Sequence, residues 1–305
     1  MKNNKLRKGR RLLLISLLIV AIISGQGLTV FANSPESSDQ KIIVYNQEEN
    51  TISENELDNG TNSISNFVPS SDEDLDISPL ANSTTMNKVS STTVEPYKNI
   101  CYVEATFPNG TIYRSSGVLV HYNILLTSGH GVYKSECGGF ADTVTVYPGF
   151  YTDSNGYLNA PFGSAKSTSI RMTSGYVNNK KVEYDWALVD LDKRFDSFQA
   201  FGYAPNYSAL TGRTVTAYGY PEKYGRNMYY ITGPIKESFE KLLHISIETL
   251  AGQSGGPIID QNTGAVIGIV QGIQPGLFGS VQHNISVRID EFLYNLINEH
   301  KAEMQ

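Results

Sequence analysis

The chain has 305 residues, enough for one large domain or two small ones with a sizeable core. Two cysteines exclude a disulfide framework, and no cluster of Cys, His and acid has the spacing of a structural zinc site. The formal net charge of −6 is unevenly spread: residues 1–32 carry six bases and no acid, residues 33–88 carry eleven acids and two lysines, and the remainder carries −3. A nearly neutral body offers no basic patch of the kind that nucleic acid or an anionic membrane requires.

Residues 1–32 begin with the basic stretch KNNKLRKGRR, continue through the apolar run LLLISLLIVAII and close on Val30-Phe31-Ala32. This is the layout of a signal peptide cut after a small residue. The apolar run is too short for a comfortable membrane span, so a retained anchor is the weaker alternative. Secretion to the extracellular space is expected, without stable membrane insertion after processing.

Residues 33–88 are rich in Ser, Asn, Asp and Glu. Such a segment buries little apolar surface and is expected to be a largely disordered, acidic propeptide, with a strand only near 41–45. The composition changes near Val89, and residues 89–305 read as the folded body.

Strand candidates follow at 100–107, 111–121, 123–127, 143–147, 186–190, 214–218, 229–232, 242–247, 257–259, 265–271 and 283–288. Turns such as Pro108-Asn109-Gly110, Asn155-Gly156 and Asn262-Thr263-Gly264 separate them. Many short strands at close spacing predict an all-β barrel or sandwich. Asp290 is suited to cap one C-terminal helix whose apolar face is Phe292, Leu293, Leu296 and Ile297.

The strongest chemical signal is Gly252-Gln253-Ser254-Gly255-Gly256-Pro257. A serine hydroxyl attacks only when a base takes its proton, and it needs backbone N–H groups aimed at the developing oxyanion. Glycines around Ser254 allow that turn, with Gly252 and Ser254 as the expected donors. A glycine-rich β-turn is the plain alternative. His130, at the end of the apolar stretch Leu125-Leu126-Thr127 and among small residues, is the candidate base. The other histidines read as structural: His300 on the exposed side of the terminal helix, His121 at a turn, His244 and His283 in strands, either of the last two conceivably near a specificity pocket. Asp185 precedes the buried run Trp186-Ala187-Leu188-Val189 and is the candidate orienting acid, whereas Asp190 and Asp192 are expected to face solvent. The order His, Asp, Ser is that of chymotrypsin and not of subtilisin or the α/β-hydrolases.

These elements make the chain resemble the glutamyl endopeptidases of Gram-positive bacteria, the secreted Bacillus and staphylococcal enzymes, from about Val89 to the end. The Thr-x-Gly-His, Asp-Trp-Ala-Leu and Gly-Gln-Ser-Gly-Gly-Pro elements match in order and approximate spacing. So do Pro96-Tyr97-Lys98, Gly219-Tyr220-Pro221, Gly233-Pro234-Ile235 and Arg288-Ile289. The resemblance implies a fold of two six-stranded antiparallel β-barrels of the chymotrypsin type, with His130, Asp185 and Ser254 in the cleft between them. It implies a serine endopeptidase acting on proteins or peptides, made as a zymogen, expected here as a monomer without a cofactor. Some relatives bind calcium structurally, but no acidic loop of the body demands it.

Cleavage after glutamate is what the resemblance predicts for specificity. In that family a hydroxyl residue five before the nucleophile, a histidine on the following strand and the new amino terminus are held responsible. Thr249 matches the first, but Val270 stands where the histidine falls. Glu248 lies where an acid selects Arg or Lys in trypsin-like enzymes, so basic or apolar specificity remains the alternative, with a non-catalytic binding homologue behind it. The new terminus is expected at Val89 or a few residues earlier, after Leu80. A single bridge between Cys101 and Cys137, across the His130 loop, is expected, with free thiols the alternative.

Overall fold

The computed structural model describes residues 38–55, 85–198, 202–205, 210–274 and 283–304. The expected signal peptide, residues 1–32, and residues 56–84 lie outside the described residues.

Alternation along each strand turns one face inward, and closing each sheet on itself gives that face a core. The leader supplies β1 (Ile42–Asn46), β2 (Thr51–Asn55) and β3 (Asn87–Lys88). Next come β4 (Ile100–Thr106), β5 (Ile112–His121), β6 (Ile124–Thr127), the short pair β7 (Tyr133–Lys134) and β8 (Gly139–Phe140), and β9 (Thr143–Pro148). The short pair β10 (Tyr151–Thr152) and β11 (Leu158–Asn159), then β12 (Ala165–Thr173) and β13 (Ala187–Leu191), follow. The second half holds β14 (Thr214–Gly219), β15 (Tyr229–Ser238), β16 (Leu242–Ile245), β17 (Pro257–Asp260), β18 (Val266–Gln274) and β19 (His283–Arg288). Among the described residues the α-helices are α1 (Gly129–Val132), α2 (Ser174–Asn179) and α3 (Glu291–Glu303).

The first barrel runs β13-β6-β5-β4-β9-β12 and closes by pairing β12 with β13; the second runs β14-β17-β18-β19-β16-β15 and closes by pairing β14 with β15. Both expected six-stranded antiparallel barrels are present. Val103, Leu119, Leu125, Val144 and Val189 fill the first, and Val215, Ile231, Leu243, Ile258 and Ile267 the second. A third cluster, with Leu126, Trp186, Tyr218, Ile269 and Leu293, joins the two barrels to α3. That helix starts as predicted, with the Asp290 carboxylate accepting from Leu293 N at 2.9 Å.

The strand expected near 41–45 is present as β1, which pairs with β12 from Ile42↔Thr173 to Asn46↔Ser169 with Ile42, Ile43 and Tyr45 buried. Lys88 and Val89, the proposed boundary, lie in a paired stretch, since β3 pairs with β15 and Val89 N donates to Met228 O at 2.9 Å. Two expectations change, the disulfide and the exposure of Asp190 and His300. The disulfide is absent, and Cys101 and Cys137 are both free and buried. Cys101 lies at the start of β4, while the Cys137 carbonyl accepts from Asn109 N at 3.4 Å beyond that strand's other end. Six residues of extended chain span about 20 Å, far above the roughly 7 Å limit for bridged Cα atoms. Burial pushes the Cys101 thiol well up.

Asp190, in β13, and His300, on the inner face of α3, both expected on the surface, are buried at 5% and 2% exposure. His300 Nε2 contacts Asp190 Oδ1, Ser169 Oγ donates to Asp190 Oδ2, and Arg171 Nε lies 3.6 Å from Asp190 Oδ2. Burial pushes the Asp190 carboxyl up, but the His300 and Ser169 hydrogen bonds and the Arg171 charge outweigh it and hold it below its ordinary value. A lowered acid stabilises the fold fully above its unfolded pKa of about 3.9, and that stabilisation is lost as pH falls through the folded value. Asp190→Ala should therefore cost about 3 kcal/mol in urea unfolding at pH 7, with the deficit shrinking in titrations carried below pH 4, to about pH 2.

Candidate active site

β6 delivers His130 to the barrel junction. The strand ends at Thr127, Ser128 remains extended, and α1 lifts the imidazole out of the core. A Cβ on Gly129 would sit 2.7 Å from Met172 Cε and 3.0 Å from Asp185 Oδ1, so glycine is what lets the acid approach. Asp185 lies between the turn Val182–Tyr184 and β13. One carboxylate oxygen accepts from His130 N at 2.7 Å and the other pairs with His130 Nδ1 at 2.7 Å. The acid is 1% exposed, while the His130 side chain is 19% exposed. A buried carboxylate gripping both backbone and ring fixes the imidazole's orientation and places its proton on Nδ1. The ring of Tyr113 meets that of His130 edge to face at 6.1 Å. Burial, then the charges of Glu222 and Asp185, push the Tyr113 phenol up.

The Ser254 turn hangs on glycine geometry. Gln253 N donates to Leu250 O at 3.1 Å, closing a turn in which Gly252 has φ +93°, and Gly255 has φ +81°. A Cβ on Gly252 would lie 2.4 Å from Tyr220 O, and one on Gly255 2.3 Å from Ser116 O. Among the described residues no acceptor takes the N–H of Gly252 or Ser254. Ser254 Oγ donates to Gln271 O at 3.3 Å, and among the described residues no hydrogen bond links it to His130.

Ser116, unmarked in the sequence reading, ties the two barrels together. Its N–H donates to Ser254 O at 2.8 Å, its hydroxyl donates to Gly252 O at 2.7 Å and accepts from Tyr220 N at 2.8 Å, and its carbonyl accepts from Thr127 Oγ1 at 2.7 Å. No local signal distinguishes Ser116 from Ser115, because its partners lie 11 to 138 positions away in sequence.

The three specificity candidates differ in setting. Glu248 is exposed, Thr249 is buried, and Val270 packs in the second-barrel core. Thr249 Oγ1 donates to Asn284 Oδ1 at 3.0 Å, and Asn284 Nδ2 donates to Ile247 O. Asn284 is a second residue that sequence reasoning missed, since only the pairing of β16 with β19 brings it beside Thr249. His244 is elsewhere, paired with Glu237 at 2.9 Å, and the His283 side chain is outside the described residues.

A cleft of about 280 Å³ opens beside the His–Asp pair, lined by His130, Tyr176, Lys180, Val182, Gln271 and Gly272. Lys180 Nζ lies 3.8 Å from the centre of the Tyr133 ring and 4.9 Å from that of Tyr176. The Tyr176 phenol is pushed up by burial and then by the Asp185 charge. Desolvation pulls the Lys180 ammonium down, against the opposing pull of Glu136 and Asp185. Among the described residues no group of three His, Cys, Asp or Glu side chains is arranged to hold a metal ion.

The family profile described as trypsin-like peptidase domain matches residues 115–269, about half of the chain. A glutamyl endopeptidase of Bacillus licheniformis is 33% identical over 178 residues, which are 58% of this chain and 53% of that protein. A Bacillus subtilis protein named extracellular metalloprotease is 30% identical over 175 residues, 56% of this chain and 54% of that protein. The chain thus spans about half the length of both relatives. The solved structure of a Glu endopeptidase in complex with MPD matches with a TM-score of 0.60 at 28% identity, over 71% of this chain and 96% of that one. Protease Anisep from Arthrobacter nicotinovorans, at 16% identity and a TM-score of 0.56, covers 70% of this chain and 98% of its own, and shares the fold.

Ser116→Ala removes one hydroxyl and leaves Gly252 O and Tyr220 N unpaired in a buried junction. It should lower unfolding free energy by about 2 kcal/mol in urea titrations at an unchanged m-value.

Proposed function

We propose that this chain, which belongs to the trypsin-like peptidase family, is a secreted serine endopeptidase in which Ser254 attacks the peptide carbonyl, His130 moves the proton and Asp185 orients the ring. The observation that carries the reading is the double grip of Asp185 on His130 N and Nδ1, both at 2.7 Å, which leaves Nε2 as the nitrogen available for proton transfer. Ser254 Oγ turns from Gln271 O to His130 Nε2 as substrate enters, a contact that commonly tightens only in the complex. The hydroxyl adds to the carbonyl, and the N–H groups of Gly252 and Ser254 hold the oxyanion, each worth roughly 3 kcal/mol. His130 then protonates the leaving amine, and water, deprotonated by the same ring, hydrolyses the acyl-enzyme. Side chains and backbone amides supply every step.

Preference for Glu before the scissile bond follows from the Bacillus licheniformis relative, named glutamyl endopeptidase. The Thr249 hydroxyl and the Asn284 amide, which donate to Asn284 Oδ1 and Ile247 O, would supply donors without a pocket histidine by turning from those partners to the substrate carboxylate. The exposure of Glu248 weakens the case for basic specificity, because a solvated carboxylate repels an acid and attracts a cation only feebly. Lys180 adds a cation along the cleft that favours acidic residues further upstream in the substrate.

Export rests on the 1–32 layout and on the Bacillus subtilis relative being named extracellular. Among the described residues no helix is long and apolar enough to cross a membrane. The pairing of β3 with β15 favours a maturation cut upstream of Asn87, within the window that opens after Leu80.

Ser254→Ala should lower kcat by about a million-fold and abolish labelling by a serine-directed phosphonate, with the fold intact by circular dichroism. Retained cleavage at the parent rate would defeat the assignment. Profiling on a peptide library by mass spectrometry should show inhibitable cleavage after Glu; inhibitable cleavage after Arg or Lys would transfer specificity to Glu248. Lys180→Glu should lower kcat/KM about threefold for peptides acidic upstream of the cut, and leave neutral peptides unchanged.

A further inference from the structure

The leader hairpin is bound where no inhibitor of the cleft would bind. β1 extends the edge of β12: residues 165–166 of β12 pair with β9, and the same edge from Ser169 to Thr173 pairs with β1. Gln47 N continues the ladder to Thr168 O at 3.1 Å. Ile43 and Tyr45 belong to the first-barrel core, with Tyr45 stacked on Phe140 at 5.1 Å, and Ile42 belongs to the cluster that joins the barrels. β2 is exposed throughout and covers the outer edge of β1. None of these residues lines the cleft beside His130.

The hairpin's other end grips the segment that carries Asp185. Ser174 N donates to Lys41 O at 2.8 Å, and Ser174 Oγ donates to Ser38 O at 2.6 Å. Asp39, 4% exposed, accepts from Asn179 Nδ2 at 3.0 Å and pairs with Lys181 Nζ. A Cβ on Gly175 would lie 3.0 Å from both Asp39 Cβ and Asp39 O, and 2.7 Å from the Tyr184 ring. Asp39, Gly175 and Tyr184 are thus stacked without slack, one residue before Asp185.

We propose that residues 38–55 are a resident part of the first barrel, which stays seated on β12 after the chain is cut C-terminal to it. There Asp39 acts as a positioning residue that holds α2 and the Val182–Tyr184 turn, and through them Asp185. The partner of the β12–α2 surface is therefore the chain's own leader fragment. Its release would strip the edge from Ser169 to Thr173 of hydrogen bonds and uncover Phe140, the kind of open edge that folded proteins avoid. The positioning half of the proposal rests on the catalytic reading above, and the retention half does not.

Two measurements test the two halves. Native mass spectrometry of the protein after cleavage between residues 55 and 87 should show residues 38–55 accompanying the body as a second chain that separates only on denaturation. A body that lacks 38–55 and has the same kcat as hairpin-containing protein would overturn the proposal. Asp39→Ala should lower kcat about tenfold at unchanged KM, as small misplacements of catalytic groups do, and Asp39→Glu should restore most of it. Lys181→Ala, which removes the same ion pair from its more exposed side, should act in the same direction if Asp39→Ala does not fold. A fall in melting temperature with kcat unchanged in the variant that folds would assign Asp39 a structural role alone and sink the positioning claim. Loss of phosphonate labelling in the parent protein would instead indict the catalytic reading and leave the mass result standing.

Discussion

Everything at the site depends on one buried hydroxyl residue that belongs to neither the His nor the Ser motif. Ser116, in β5 of the first barrel, meets Ser254 O, Gly252 O and Tyr220 N of the second, and Thr127 Oγ1 of its own. Two closed barrels share no ladder hydrogen bonds, so their relative placement must come from apolar packing and from contacts of this kind. Apolar packing is non-directional and tolerates sliding, whereas hydrogen bonds converging on one residue fix both distance and angle. The glycines on either side of Ser254 carry that fixation into the turn of the proposed nucleophile. With Cβ atoms forbidden at Gly252 and Gly255 by backbone oxygens of Tyr220 and Ser116 2.4 and 2.3 Å away, the Ser254 turn presses against Tyr220 at one end and β5 at the other with no side chain between.

The same economy appears on the acid side. Asp185 could not be left as an unpaired buried charge, and its two hydrogen bonds from His130 supply the compensation that burial demands. Position is a separate matter. The residues before Asp185 form a short turn with little core of its own, braced between Gly175 and the leader. A barrel strand after the acid and a clamped turn before it hold the carboxylate from both directions.

Where alternation and motif coincide, the sequence was legible: β4, β5, β6, β14 and β19 lie within a residue or two of expectation, and the His130, Asp185 and Ser254 elements fall at strand ends as their composition implied. β12 was missed because its first half, Ala165-Lys166-Ser167-Thr168-Ser169, carries polar residues to an edge where β9 and β1 take turns as partner. β2 was missed for a related reason, since an all-exposed strand has no buried face to create a periodic signal. Cys101 and Cys137 looked like partners because exported proteins often pair their cysteines, yet Cys101 starts β4 and Cys137 lies in a turn beyond its other end, a separation set by the closed sheet. Ser116 and Asn284 could not have been singled out, because their roles exist only once distant strands meet.

Two histidine–carboxylate pairs flank β13, and their difference bears on which of them suits the proposed proton transfer. His130 meets Asp185 just before the strand; His300 meets Asp190 near its end. Both acids are nearly inaccessible, so burial of the carboxylate does not discriminate. What differs is the second ring nitrogen. In His300 both nitrogens are engaged, Nε2 by Asp190 and Nδ1 by Glu303 at 3.0 Å, and the ring is buried on the inner face of the terminal helix. In His130 only Nδ1 is engaged by a carboxylate, and the ring borders an open cleft beside Gln271, whose carbonyl already receives the Ser254 hydroxyl. A proton can pass through an imidazole only if one nitrogen is held and the other is left for the reactant. By that criterion His130, and not His300, suits the proposed proton transfer: small residues around His130 keep one side of its ring uncovered, whereas His300 sits on the buried face of the terminal helix.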